Sequence, residues 1–231
     1  MGESPRHESS FTWDVSLPKG GTSALGRRKP LGIVSVKSDE RGEETLSVPA
    51  AVARRMAAGR KSGSVNPSSR NELLFLMGRV TDECVTLKVE ELVAKRDYSS
   101  ADLAERLRKD GFPSSTVDKA VTRAVGCHLV DDGRFADVFI RSKASQGWGR
   151  IKIERELERH GIEPSSVEGW PEGFLSEDSE DDAAFELASR RRLTGTRDFE
   201  KIVRFLCSRG YSVGVATRAA RRVLSDVDND D

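Results

Sequence analysis

Cysteine is scarce, with three in 231 residues at positions 84, 127 and 207 and no CxxC pair among them. That excludes a disulfide framework and a thiolate zinc site, and fits reduced thiols in the cytoplasm. No apolar run approaches the roughly 18 residues a membrane-spanning helix needs, and the N-terminus lacks the basic-then-apolar order of a signal peptide. Net charge is absent as well: 38 Lys and Arg balance 38 Asp and Glu, which argues against a strong free-standing nucleic-acid binder. The three histidines lie far apart, and GxxxxGK[ST], HExxH and GxSxG are all missing. The expectation is a monomeric non-enzyme without cofactor, metal or membrane contact.

What is present centres on residues 131–162, DDGRFADVFIRSKASQGWGRIKIERELERHGI. Phe135, Val138, Phe139 and Ile140 follow an acidic start at Asp131-Asp132, as an amphipathic helix would. A second helix spans Arg150 to His160, with Ile153 and Leu157 on one face and Gly161 placed to end it. Gly147 and Gly149 around Trp148 predict a turn between them.

The end of that second helix is echoed on both sides. Leu103, Leu107, Gly111 and Phe112 match Ile153, Leu157, Gly161 and Ile162, and then Ile202, Leu206, Gly210 and Tyr211. The glycines are 50 and 49 residues apart. Val117, Val167 and Ala216 each stand six residues beyond one of them. A fixed period with matched glycines marks stacked helical units, here about three short helices each.

The stretch 131–162 resembles the signature segment of the RecX regulatory proteins, bacterial modulators of the recombinase RecA. LVAKRDYSSADLAERLRKDGF upstream is similar to that family's first repeat, and KIVRFLCSRGYSVGVATRAARRVL downstream to its third. The resemblance covers about Thr81 to Val227. It implies a mainly α fold, an elongated crescent of three tandem three-helix repeats seated in the groove of a RecA filament, with DNA inside it as a further contact. The implied function is modulation, most naturally inhibition, of recombinase and ATPase activity in DNA repair, recombination and the SOS response. A helical protein that binds DNA directly, or a repeat adaptor for another protein, is the alternative.

Along the chain, residues 1–30 are rich in Gly, Ser, Pro and charge and read as a disordered tail, with a docking motif at Phe11–Trp13 as the sharper alternative. Residues 31–80 read as an N-terminal extension: a β-hairpin over Leu31–Val48, a helix from Pro49 ended by Gly59, a connector, and a helix over Arg70–Gly78. Repeats follow over 81–128, 129–175 and 176–227, with an acidic tail at 228–231. Within repeat 1 a first helix runs from Asp82 to Arg96, Ser99 or Ser100 caps the second, and Ser114 or Ser115 caps the third. Gly169, Pro171 and Gly173 shorten the last helix of repeat 2. Repeat 3 has helices near Asp181–Arg192, Asp198–Arg209 and Val213–Asp226.

Candidate partner-binding residues are cations. On a helical wheel from Arg150, Ile153 and Leu157 fall at roughly 300° and 340°, whereas Arg155, Arg159 and Lys152 fall at roughly 140°, 180° and 200°. One cationic stripe thus opposes the core, with Arg141, Lys143, Trp148 and Arg150 beside it. Arg190, Arg191, Arg192 and Arg197 form a second patch, within a stretch (183–225) of ten Lys and Arg against three acids. Such surfaces suit the acidic flank of a protein filament or the phosphates of its DNA.

Overall fold

The computed structural model describes residues 11–18, 30–39 and 42–230, leaving aside the side chains of 177 and 227–230. Two compact units are present, Met1–Val130 and Asp131–Asp231. The described residues form nine α-helices and one small sheet, so the chain is mainly α.

In the first unit, β1 (Phe11–Ser16), β2 (Gly32–Ser38) and β3 (Gly42–Val48) make an antiparallel sheet in that order. The hairpin of β2 and β3 closes at Gly42, whose φ of 70° favours a residue without a β-carbon. The expected disordered tail is corrected at β1; residues 1–10 and 19–29 lie outside the described residues. Phe11, Trp13 and Val15 alternate as a strand does, and Trp13 pairs with Val36. Trp13 is buried with Val34, Val36 and Val48, so the docking motif is a core element instead. A two-stranded hairpin is marginal in water, and a third strand supplies the missing cover.

That buried face packs on α1 (Ala50–Ser62), through Val52, Ala53 and Met56. The expected stop at Gly59 is wrong: Gly59 is a buried helical residue facing Val65, and Gly63, with φ 76°, ends the helix. The next helix, α2 (Arg70–Val93), fuses two expected helices and runs through Gly78. A boundary at 80/81 therefore falls inside a helix. One interior glycine costs only about 1 kcal/mol, which the buried Leu73, Val85, Val89 and Leu92 outweigh. Ser69 accepts the Glu72 N–H while Glu72 accepts from Ser68, so the start is capped from both directions.

Ser99, of the two candidate caps, starts α3 (Ser100–Lys109) by accepting the Asp102 N–H at 3.1 Å. Replacing this fully buried serine by alanine is expected to cost about 1 kcal/mol, seen as a thermal midpoint a few degrees lower. An unchanged midpoint would remove the capping role. Neither Ser114 nor Ser115 caps α4 (Ser114–Gly126); both lie in its first turn behind Pro113, and no side chain caps it.

In the second unit, Asp131 caps α5 (Asp132–Ser145) and α6 (Arg150–Arg159) follows the Gly-Trp-Gly turn. The expected third helix is reduced to one 3₁₀ turn, Pro164–Ser166, before further turns. Ala136, Ile140, Ile153, Leu157 and Ile162 make its core, flanked by Phe135 and Phe139. Val138 is corrected: it faces outward, 54% exposed. His160 closes α6 against Phe135 and Phe139, edge-on to both rings at 5.1 Å.

Beyond it, α7 (Glu177–Ser189) is capped by Ser176, starts four residues ahead of the expected Asp181 and ends three before Arg192. Its partners α8 (Asp198–Arg209) and α9 (Val213–Asp230) share a core of Ile202, Leu206, Tyr211, Ala216 and Ala220. The helix α9 also continues into the expected acidic tail.

The three matched glycines adopt one backbone geometry three times. Gly111, Gly161 and Gly210 have φ of 92°, 74° and 96°. Each donates to a carbonyl three residues back, and the next residue donates five back: Phe112 to Leu107, Ile162 to Leu157, Tyr211 to Leu206. All six side chains of these pairs are buried. This is the Schellman ending with its apolar clasp, repeated after α3, α6 and α8.

Candidate partner-binding surface

Helix α6 carries the surface, and its first turn shows how it is held. The Gly149 and Ile151 N–H groups donate to the Arg209 and Gly210 carbonyls, each at 3.0 Å, and the Arg150 N–H reaches Glu180 at 3.2 Å. The unsatisfied donors of one helix start thus meet the unsatisfied acceptors of another helix end, with a carboxylate added where the dipole favours it. Two glycines permit the approach. A β-carbon on Gly149 would lie 2.5 Å from the Gly210 carbonyl, and one on Gly210 would lie 2.6 Å from the Lys152 nitrogen. Tyr211 is buried beside this junction, and burial pushes its hydroxyl up to about 12, with Glu180 adding to the shift.

The wheel places the core residues correctly: Ile153 and Leu157 are fully buried. Outward, Lys152, Arg155 and Arg159 line an open groove of about 590 Å³, whose opposite wall is Cys207 and Ser208 of α8. Glu156 and Glu158 line it too. The three cations are not equivalent. Arg155 is exposed and has no ion-pair partner among the described residues. Arg159 pairs with Glu156 at 2.8 Å, but with its side chain 76% exposed that pair contributes little and exchanges readily. Lys152 turns its ammonium over the Trp148 ring at 3.9 Å, and Lys143 sits 4.9 Å from the same ring. Trp148 itself is half-buried in the α5/α6 core.

Other expected contacts are engaged within the fold. Arg141 takes both oxygens of Asp137 and lies over Phe174. Arg150 bonds Glu154 at 2.8 Å, which also accepts from the Trp170 indole; that bond to Glu154 holds the Arg150 guanidinium above its usual pKa. In the second patch, Arg190 pairs with Glu186 at 3.4 Å, while Arg191 stacks 4.2 Å from Phe205. All three consecutive arginines lie beyond the last turn of α7. Arg192 and Arg197 are exposed without ion-pair partners among the described residues. Arg197 sits at φ 53° at the mouth of α8, in a loop pinned by Asp198, whose carboxylate accepts from Thr194 and Gly195. Those bonds, the Thr194 hydroxyl foremost, hold the Asp198 carboxyl below its ordinary range.

Sequence reasoning missed Arg209, which shares the Phe205 ring with Arg191, and missed Cys207 and Ser208 as the far wall. It also left open where the acidic run on α7 goes. Asp181 chelates Arg218 at 2.8 Å through both oxygens, and Asp182 pairs with Arg222 at 2.8 Å. These acids pair with two arginines of α9, and neither lines the α6 groove. Among the described residues no cluster of His, Cys, Asp or Glu suits a metal ion, and no helix is long and apolar enough to cross a membrane.

Comparison with known proteins gives a consistent result. The family model for the RecX second three-helix domain matches residues 131–168. A regulatory protein RecX from Streptomyces coelicolor is 30% identical over 133 residues, 55% of this chain and 71% of the relative. Those from Thermobifida fusca (29% over 175 residues, 73% and 90%) and Legionella pneumophila (28% over 140 residues, 58% and 91%) are similar. A crystal structure of regulatory protein RecX superposes with a TM-score of 0.55 over 90% of this chain and 96% of its own, at 14% identity, a likeness of fold.

Proposed function

The chain belongs to the RecX family of regulatory proteins, and from that premise we propose that it binds RecA and its nucleoprotein filament and inhibits strand exchange and ATP hydrolysis in DNA repair and recombination. It acts in the cytoplasm as a non-enzymatic monomer without a cofactor. The observation that carries the reading is the α6 groove, where Arg155 and Arg159 stand exposed opposite a fully buried core face. A helix that spends its outward face on cations offers charge-assisted contacts to carboxylates or phosphates. The exposed Arg192 and Arg197 on the α7–α8 loop add to it.

Inhibition requires that the protein bind one filament state more tightly than another, or occlude the end where monomers add, because equal affinity shifts nothing. The test is ATP hydrolysis by RecA on single-stranded DNA with increasing amounts of this protein. Hydrolysis should fall in a saturable way. Unchanged hydrolysis at a large molar excess would end the reading.

A further inference from the structure

The first unit carries a cationic surface of its own that the α6 groove does not use. Helix α1, AAVARRMAAGRKS, has four cations and no acid in 13 residues. Its buried side is Val52, Ala53, Met56 and Gly59. Arg54 and Lys61 sit seven residues apart, directly opposite that side at 100° per residue, and both are exposed. Neither has an ion-pair partner among the described residues. Three acids on neighbouring elements are engaged with other groups: Glu83 with Arg55 and Arg79, Asp14 with Arg60, Glu91 with Lys88 and Lys95. Lys88 and Lys95 hold Glu91 down to about 2, so it stays charged and occupied.

We propose that this ridge of α1 is a second binding site, for the phosphate backbone of nucleic acid, outside the three helical groups. Charge and shape choose the occupant. Between the two cations the ridge presents only small residues such as Ala58, with Ser62 beside Lys61, so a strand can approach the helix closely. Helix α1 has no aromatic residue of its own, and Trp13 is buried beneath Arg60, so the ridge itself offers a protein partner no aromatic anchor. Seven residues span about 10 Å, an axial length over which one strand of a duplex presents about three phosphates. Contacts of this kind position a protein on nucleic acid without reading its sequence. With no net charge behind it the site is weak, in the roughly 10⁻⁴–10⁻⁶ M range of non-specific binding.

The test uses the full chain without RecA, so its outcome is independent of the filament reading. Fluorescence anisotropy follows binding to two labelled duplexes of unrelated sequence between about 50 and 200 mM salt. Both should bind alike. Arg54→Ala with Lys61→Ala should lower the slope of log affinity against log salt by about 2, and weaken binding at low salt about tenfold for both duplexes. Arg54→Lys with Lys61→Arg should bind as the unaltered chain does. A helical R54A/K61A variant with unchanged slope overturns the proposal. So does displacement of the duplex by polyglutamate at equal charge, which would make the ridge a surface for acidic proteins.

Discussion

Gly210→Ala is expected to destabilise the 131–231 unit by about 3 kcal/mol, a large loss for a single added methyl group. Two separable effects add up there. A side chain at φ 96° is strained by roughly 1–2 kcal/mol. The new β-carbon also meets the Lys152 nitrogen at 2.6 Å and the Gly149 oxygen at 3.0 Å, and neither is the yielding end of a side chain. Forced movement of packed backbone adds about 1–3 kcal/mol. Two companions isolate the parts. Gly195→Ala has φ 75° with nothing within 4 Å of its β-carbon, so it should show only the dihedral cost, about 1 kcal/mol. Gly149, at φ −82°, carries no dihedral cost but meets Gly210 and Tyr211 backbone at 2.5 Å, so Gly149→Ala reports the overlap alone. Urea unfolding should therefore rank Gly210→Ala first and Gly195→Ala last. If Gly210→Ala cost no more than Gly195→Ala, the abutment of α8 on α6 would be discredited.

The glycine that makes this junction was visible in the sequence, but its partner's reason was not. Local chemistry reads well from one chain: the Schellman endings at Gly111, Gly161 and Gly210 need only a glycine and apolar residues at fixed offsets. The buried face of α6 likewise follows from Ile153 and Leu157 alone. What needs a second element does not read. Gly149 looked like a turn residue, yet its tightest requirement comes from Gly210. Gly59 looked like a helix end because it is a poor helix former; it stands inside the helix where Val65 packs so close that a β-carbon would have no room. The strand at Phe11 is short and borders polar sequence, and only its pairing with β2 distinguishes it from a tail.

Charges divide the same way. Partners three or four residues apart, such as Arg141 with Asp137, follow from helical spacing. Asp181 and Arg218 lie 37 residues apart, and no spacing rule could join them. The stripe of α6 was found on the wheel, but the wheel gives Cα directions only. It could not show that Lys152 folds back onto Trp148 while Arg155 lines the groove with no ion-pair partner among the described residues.

That difference shapes the second large effect. Reversing charge at Lys152, Arg155 and Arg159 together is expected to raise the amount of protein needed for half-inhibition of RecA ATP hydrolysis at least tenfold. The exposed Arg155 and Arg159 with the half-buried Lys152, at roughly 0.5–1 kcal/mol each, together exceed the 1.4 kcal/mol that a factor of ten represents. Folding should survive, because all three side chains leave the Ile153 and Leu157 face intact; helicity by circular dichroism checks this. Arg159→Glu adds a small unfavourable interaction with the helix end, about 0.3–1 kcal/mol, and Lys152→Glu forfeits the ring contact. Arg155→Glu with Arg159→Glu therefore serves as the cleaner variant and should retain most of the effect. Arg141→Ala provides the contrast: its guanidinium is already committed to Asp137, so it should shift half-inhibition far less. Full inhibition by the folded triple variant would remove the α6 groove from the contact. An Arg141→Ala effect equal to the triple's would point to the α5 side of the hairpin instead.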